Sequence, residues 1–445
     1  MLKRRVAVVL ASVSAIWASR FANAQVAASN AQPVAIRAAR LIDGKSHVAV
    51  SNGVVVVEGD KITAVGPGLT IPTGARVIDL GDATLLPGLI DSHTHLLNEV
   101  DMTTGNPEDL EILRVVATQS TAERALLGAK LGREDLEAGI TTVRDLGNSG
   151  VDGDVALRNA ISRGWLPGPR IVAATRALAA PGGQFGQLTH EAQALIEQEY
   201  VTINGPDSAR QAVRQAIYNG ADCIKVIVNR RASVTLAEMK AIVEEAHGSG
   251  VKVAAHATGD NAARLAAEAG VDSIEHAYTV SDDVLKMMAQ KHIFLVPTDH
   301  TAQAYFDMQY GARQLAPAER KEMEDRFKSA VAHHGERLQR ALKMGVPLAA
   351  GSDHYLKLPQ KNRGQGSLDT LAAYTEEGMT PMEIIHAATG NGAELLGMGD
   401  RIGTLETGKL ADIIAVPGDP VKDIKLLQGT KFVMKGGTVV KQLNQ

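Results

Sequence analysis

The middle of the chain alternates short apolar segments with amphipathic helical patterns, and this alternation restricts the fold more than any other feature. Helical patterns such as DSARQAVRQAIYNG and NAARLAAEAG end in glycine, which commonly terminates helices. Eight near-continuous apolar strands separated by helices predict a (β/α)8 TIM barrel, whose strands are buried on both faces. The predicted strands are Thr84–Ile90, Ile140–Asp145, Arg170–Ala174, Asp222–Val228, Lys252–His256, Asp272–His276, Ile293–Pro297 and Pro347–Ser352.

An open, doubly wound α/β sheet is the alternative arrangement of such elements. That fold places a glycine-rich phosphate-binding loop after its first strand. Here the first strand runs into Asp91-Ser92-His93-Thr94-His95 instead. The sequence therefore favours the barrel.

Strand-like runs also occupy both ends of the chain. VAIRAARLI and GVVVVEGDKITAVG precede the alternating region, and GKLADIIAVPG and TKFVMKGGTVVK follow it. Two independent β appendages are possible, but neither end alone has many strands, so a shared sheet is favoured. We predict a composite β-sandwich domain of residues 25–83 and 401–445 beside a barrel of residues 84–400. A length of 445 residues suits this pair of domains.

The first 24 residues follow the order of a secretory signal peptide. Lys3, Arg4 and Arg5 precede an apolar run, and Ala22-Asn23-Ala24 resembles a cleavage site. An uncleaved anchor is the alternative, but the apolar run is too short to span a bilayer. We expect cleavage near Ala24, export to the periplasm or the medium, and no membrane span after signal removal.

Charge and cysteine content exclude some partners. The net charge is −4 and there are no basic runs outside the signal segment, so nothing supports nucleic-acid binding. Cys223 is the single cysteine and cannot form an internal disulfide. We expect a small-molecule substrate.

Ionisable residues recur at the C-terminal ends of the predicted strands, which is where TIM barrels place their active sites. His93 and His95 follow the first strand, and their spacing projects both imidazoles to one face. Each alone could be structural, but together they suit metal binding. The set is His93, His95, Lys225, His256, His276 and Asp353.

Lys225 requires a separate explanation because an ammonium group is not a metal ligand. If the amine carries carbon dioxide as a carbamate, the cation becomes an anionic bidentate bridge. The alternative is a salt bridge between Lys225 and Asp353.

The run PGLIDSHTHL, the strand-borne Lys225, His256 and His276, the GSDH that contains Asp353, and the tail GTLETGKLADIIAV resemble the amidohydrolase superfamily. Within it the chain resembles the Xaa-Pro dipeptidase-like and ochratoxinase-like carboxypeptidases, and imidazolonepropionase more distantly. The resemblance covers residues 34–441.

The resemblance implies two divalent metal ions, with zinc as the expected metal, in one catalytic centre. It places His93, His95 and Asp353 on one ion and His256 and His276 on the other, bridged by carboxylated Lys225 and a hydroxide. That hydroxide would attack the amide, and Asp353 would move its proton to the leaving nitrogen. Relatives commonly assemble into homo-oligomers, so a homo-oligomer is expected.

The implied reaction releases a C-terminal amino acid from dipeptides or N-acyl amino acids, including ochratoxin-like aryl-phenylalanine amides. Arg230 or Arg231 would clamp the substrate carboxylate, with solvated loop arginines as the alternative. Tyr278 would donate to a developing oxyanion. After the third strand the subgroup often has a glycine pair followed by histidine. This chain has Gly182-Gly183-Gln184 there, and the role of Gln184 is open.

Two other readings remain. The same scaffold supports a cyclic amidase, an imidazolonepropionase-like hydrolase, a lactonase or a deaminase, because metal ligands alone do not set the leaving group. A non-catalytic metal-binding protein is the third reading, although such relatives usually lose ligands.

Overall fold

A computed structural model of the chain describes residues 32–104, 106–185, 187–228, 233–310, 315–358 and 360–443. The predicted signal segment, Arg230 and Arg231 lie outside these ranges. Within them, no helix combines the length and the apolar character needed to cross a bilayer.

The described residues form strands in three sheets. In chain order the strands are β1 (Val34–Leu41), β2 (Val50–Glu58), β3 (Lys61–Pro67), β4 (Arg76–Asp79), β5 (Ala83–Pro87), β6 (Leu89–Thr94), β7 (Ile140–Asp145), β8 (Arg170–Ala173), β9 (Ala177–Ala179), β10 (Tyr200–Thr202), β11 (Cys223–Ile227), β12 (Lys252–Ala257), β13 (Ser273–His276), β14 (Phe294–Val296), β15 (Ile413–Pro417), β16 (Phe432–Lys435) and β17 (Thr438–Gln442).

The helices lie mainly between the strands of the middle region. In chain order they are α1 (Glu108–Thr118), α2 (Thr121–Ala138), α3 (Gly153–Ser162), α4 (Gln193–Glu199), α5 (Pro206–Tyr218), α6 (Leu236–Gly248), α7 (Asp260–Ala269), α8 (Asp282–Lys291), α9 (Ala302–Tyr310), α10 (Pro317–Lys343), α11 (Arg363–Glu376), α12 (Pro381–Ala387) and α13 (Gly390–Leu395).

Strands from both ends of the chain share one mixed sheet, in the order β17-β16-β15-β5-β1-β2-β3, with β4 beside β1. The joining contact is the antiparallel pair of β5 and β15, in which Leu85 lies opposite Ala415. Ile36, Val55 and Phe432 are fully or almost fully buried in this sheet's own apolar cluster. The chain ends therefore meet in one sheet, while the sandwich and the domain boundaries stay predictions.

The middle region forms parallel strands with helices between them, which gives an α/β fold. One sheet has the order β6-β7-β8 and the other β10-β9-β11-β12-β13-β14. Helix ends follow the sequence signals: α2 begins with a Ser120–Glu123 capping box and ends at Gly139, which has a φ of 104°. Alanines such as Ala263, Ala266 and Ala267 form the buried face of α7, so this helix can pack closely.

Three details differ from the predicted strands. The segment Thr84–Ile90 is divided between β5 and β6 at Gly88, where a side chain would clash with Thr141 on β7. In the described residues Pro347–Ser352 forms only an isolated bridge, between Leu348 and Leu295. The short strands β9 and β10 were not predicted, and β9 lies beside β11.

The close approach at Gly88 predicts a measurable loss of stability. Gly88→Ala should lower the free energy of unfolding by about 1–3 kcal/mol, because the new methyl group overpacks the contact with Thr141. Gly248→Ala is the matched control, since a Cβ there meets no atom within 4 Å. Urea denaturation of both variants measures the difference, and equal midpoints would contradict the prediction.

Candidate metal centre

Two imidazoles project from the C-terminal end of β6. His93 is the fifth residue of this strand and His95 follows the strand directly, with exposures of 1% and 8%. Their ring centroids are 5.4 Å apart. The structure therefore places both imidazoles together, as their spacing predicts.

Each of these imidazoles is fixed through Nδ1. His93 Nδ1 lies 2.8 Å from Glu275 Oε2, and Arg144 Nη2 donates to Glu275 Oε1 at 2.9 Å. His95 Nδ1 lies 2.8 Å from the carbonyl oxygen of Gly147. Because both acceptors require a proton on Nδ1, the lone pair of each ring is on Nε2. Such outer partners are typical of histidines that bind metals.

Asp353 faces both of these lone pairs. Its Oδ1 lies 3.1 Å from His95 Nε2 and 3.4 Å from His93 Nε2. A main-chain hydrogen bond from Asp353 N to His93 O, at 2.7 Å, holds the residue, whose φ is 48°. The pKa of Asp353 lies well below its usual range although burial opposes ionisation, so this carboxyl group is ionised.

His256 and His276 complete the group from β12 and β13. Their ring centroids are 4.5 Å apart, and that of His276 is 5.2 Å from that of His93. His276 Nδ1 lies 2.7 Å from Thr298 Oγ1, whose own proton is donated to the carbonyl of Pro297. Thr298 therefore accepts from His276 Nδ1, and the lone pair of His276 is on Nε2.

Burial keeps these imidazoles neutral. Desolvation lowers the pKa of His93 to about 3 and that of His276 to about 4, and it lowers the pKa of His256 well below its usual value. Ligand atoms of His93, His276 and Asp353 all lie within 4.8 Å of one another. Neutral imidazole lone pairs facing one carboxylate repel it unless a cation lies between them, so this donor set fits a metal ion.

Lys225, on β11, lies beside these groups rather than in an ion pair with Asp353. Its Nζ is 3.4 Å from His93 Nε2, and the side chain is buried. Burial lowers the pKa of Lys225 to about 8. The alternative, a salt bridge between Lys225 and Asp353, is not found among the described residues, and the position beside the imidazoles is compatible with a bridging carbamate.

A cavity of about 220 Å³ opens over the six residues. Gln184 forms part of its wall, with Nε2 at 3.3 Å from the His256 ring and Oε1 accepting from Tyr200 at 3.1 Å. The residue that departs from the subgroup pattern thus contacts a candidate ligand. The other wall residues are Glu108, Asp109, Ile112, Asn148, Phe185, Tyr200, Thr258, Tyr278 and Tyr355.

A second cavity, of about 390 Å³, adjoins the first and shares Glu108, Tyr278, Asp353 and Tyr355 with it. Four tyrosines and two methionines are among the thirteen residues of its wall. The chain has seven tyrosines, and four of them line this cavity: Tyr278, Tyr305, Tyr310 and Tyr355. Tyr278 therefore lies at the border of the two cavities.

Sequence reasoning missed Glu275 and Arg144, which hold His93. Glu275 precedes His276, and alternation along a strand would direct the two side chains to opposite faces. His276 has a φ of 75° and leaves the extended conformation, so alternation ends there. The signal available in the sequence was a charged residue within each apolar strand, since such residues are seldom buried without a partner.

A family model described as the Amidohydrolase family matches residues 84–440. The chain belongs to the amidohydrolase family. Its resemblance to that superfamily, predicted from the motifs, is confirmed.

Individual relatives of this amidohydrolase agree with the family match. Ochratoxinase from Aspergillus niger is 29% identical over 389 residues, which cover 80% of this chain and 75% of that protein. Imidazolonepropionase from Fusobacterium nucleatum subsp. nucleatum is 25% identical, with coverages of 82% and 85%.

Solved structures show the same fold. A Xaa-Pro dipeptidase with bound methionine in its active site aligns with a TM-score of 0.76 and 30% identity, covering 92% of this chain and 100% of that one. The crystal structure of the A. niger ochratoxinase aligns with a TM-score of 0.76 and 26% identity, covering 92% and 96%.

The Glu275–His93 contact generates a prediction about metal affinity. Glu275→Gln should weaken zinc binding about 10–100-fold, because the ring of His93 loses the carboxylate that orients it. Glu394→Gln is the matched control, since Glu394 forms an exposed 2.8 Å pair with His292. Competition with a chromogenic chelator measures both affinities, and native affinity in Glu275→Gln would contradict the assignment.

Proposed function

We propose that this amidohydrolase is a metal-dependent hydrolase of amide bonds with two divalent ions, zinc by preference, in its centre. The observation that carries the proposal is the approach of His93 Nε2 and His95 Nε2 to a single oxygen of Asp353. In the proposed arrangement His93, His95 and Asp353 hold one ion.

His256 and His276 hold the second ion in this proposal. Lys225, as a carbamate formed with carbon dioxide, would bridge the two. The support is positional, because Lys225 Nζ lies 3.4 Å from His93 Nε2 and the rings of His256 and His276 are in contact. When bound, the metal pair supplies Lewis acids that polarise the amide carbonyl and lower the pKa of water.

The residues of the chain perform the proton transfers in the proposed mechanism. Asp353 is ionised and half-buried at the border of both cavities, so it can accept a proton from the attacking water and deliver it to the leaving nitrogen. Tyr278, whose ring lies 5.5 Å from that of His276, is proposed to donate to the oxyanion.

The proposed substrates are dipeptides or N-acyl amino acids from which a C-terminal amino acid is released. The tyrosine-lined cavity supports an aromatic substituent, because aromatic rings pack favourably against one another. Ochratoxin-like aryl-phenylalanine amides belong to this class, and an ochratoxinase is among the relatives. Clamping of the carboxylate by Arg230 or Arg231 remains part of the proposal, although both lie outside the described residues.

A (β/α)8 barrel is the proposed arrangement of the two parallel sheets. Main-chain hydrogen bonds from Ser92 to Ala350 and from Ala349 to Leu295 support it, since they connect β6 and β14 through residues 349–350. Export after cleavage near Ala24 and homo-oligomer formation are also proposed.

Hydrolysis of a cyclic amide is the second candidate function. Imidazolonepropionases among the relatives favour it over lactone hydrolysis or deamination. Open-chain amides are preferred here because the adjoining tyrosine-lined cavity offers room for a second substituent beyond the centre.

A substrate panel tests the reaction class. Zinc-loaded protein should hydrolyse N-benzoyl-phenylalanine with a kcat/KM about 10-fold or more above that for N-acetyl-phenylalanine, because the aroyl ring fills the tyrosine-lined cavity. Cyclic ureas, lactones and C-terminally amidated substrates are the comparison arms. Activity confined to cyclic substrates would overturn the proposal, and full activity after prolonged chelation would overturn its metal dependence.

Asp353→Asn tests the proton transfer. We expect kcat to fall about 100- to 10,000-fold, because the amide cannot accept the proton. Metal content measured on the same samples separates the roles of Asp353, since loss of one ion indicates a ligand and retention of both indicates a proton carrier. Near-normal turnover would contradict the assignment.

A further inference from the structure

The chain takes an unusual path immediately after β13. His276 and Ala277 have φ values of 75° and 46°, in a region that residues with side chains seldom adopt. This path directs the His276 imidazole toward Thr298 and leads to Tyr278 at the border of the two cavities. A contact from outside the strand must stabilise this left-handed conformation, because the backbone of residues with side chains disfavours it.

One buried side chain of α10 contacts this path directly. The guanidinium of Arg337 donates through Nη1 to the carbonyl oxygen of His276 and through Nη2 to Asp299 Oδ2. Arg337 and Asp299 are both fully buried. A planar guanidinium can make these two bonds at once, whereas a lysine ammonium presents a single point of charge.

A second residue of the same helix contacts Tyr278. The ring of His334, three residues before Arg337, stacks on that of Tyr278 with centroids 4.9 Å apart and an interplanar angle of 18°. The guanidinium carbon of Arg337 lies 5.8 Å from the Tyr278 centroid. Residues three apart share a helix face, so α10 contacts both His276 and Tyr278 with one face.

The charges around Arg337 match this structural role. Burial and the nearby Asp299 carboxylate raise the pKa of Glu377, which favours its neutral form. Arg337 is paired with the Asp299 carboxylate, whose Oδ1 also lies 3.2 Å from His334 Nδ1. Asp299, His334 and Glu377 have ligand atoms within 4.8 Å of one another, but the paired guanidinium disfavours a cation there.

We infer that Arg337 is a positioning residue that holds the backbone of His276 in its left-handed conformation and so aligns this imidazole with the second metal ion. The inference rests on the proposed function, because that function assigns His276 to an ion.

Metal affinity after substitution of Arg337 tests the inference. Arg337→Met removes a positive charge near the centre, which by itself would raise affinity for a divalent cation. Loss of positioning should instead lower the affinity for one of the two zinc ions about 10-fold or more. It should lower kcat by a similar factor and leave KM within about threefold of the wild-type value. Arg337→Lys keeps the charge and should show the same loss. Chelator competition on metal-free protein measures affinity independently of activity.

Arg340→Met is the matched control. Arg340 lies one turn further along α10 and donates to the carbonyl of Val280 at 2.9 Å, so it contacts the same loop farther from His276. We expect native zinc affinity and kcat for this variant. If Arg337→Met does not fold, Asp299→Asn combined with Arg337→Met removes the buried charge that would be left unpaired, and the same loss of affinity is expected.

The outcomes are distinguishable. Native affinity for both ions in the folded Arg337 variants, or an equal loss in Arg340→Met, would overturn the positioning role and leave the proposed function intact. A wild-type protein that binds no zinc would instead overturn the proposed function.

Discussion

The buried ion pair between Arg144 and Glu275 connects the elements on which the centre depends. Arg144 is on β7, donates to the carbonyl of Ser92 on β6 at 2.5 Å, and pairs with Glu275 on β13 at 2.9 Å. Glu275 in turn fixes His93. Removing one partner of a buried pair typically costs about 3–5 kcal/mol, because the other charge is left without compensation. Here it would also release a ring of the candidate metal centre.

Much of this arrangement could be predicted from the sequence. Strand ends, the spacing of His93 and His95, and the charged residues within apolar strands indicated that five ionisable side chains and Lys225 would meet, and the structure brings them together. Parallel strands align their C-terminal ends, so order along the chain becomes proximity in space.

The rest depended on contacts between distant residues. The close approach of Gly88 to the Thr141 side chain, which is 53 positions away, has no local signature. Glu275 and Arg337 act through bonds to His93 and to the carbonyl of His276. Neither bond has a periodicity or spacing that a single sequence displays. Local patterns thus predicted which residues would form the centre, and tertiary packing determines how they are held.

The shared sheet has a consequence for the order of folding. Leu85 on β5 pairs with Ala415 on β15, about 330 residues later. During synthesis from the N-terminus, β5 therefore has one open edge until nearly the entire chain has been made. Contacts of such large sequence separation close slowly, and open strand edges can pair with other chains. The last strands thus cover the open edge of β5 and complete the sheet. The strand that follows β5 is β6, which carries the first two imidazoles.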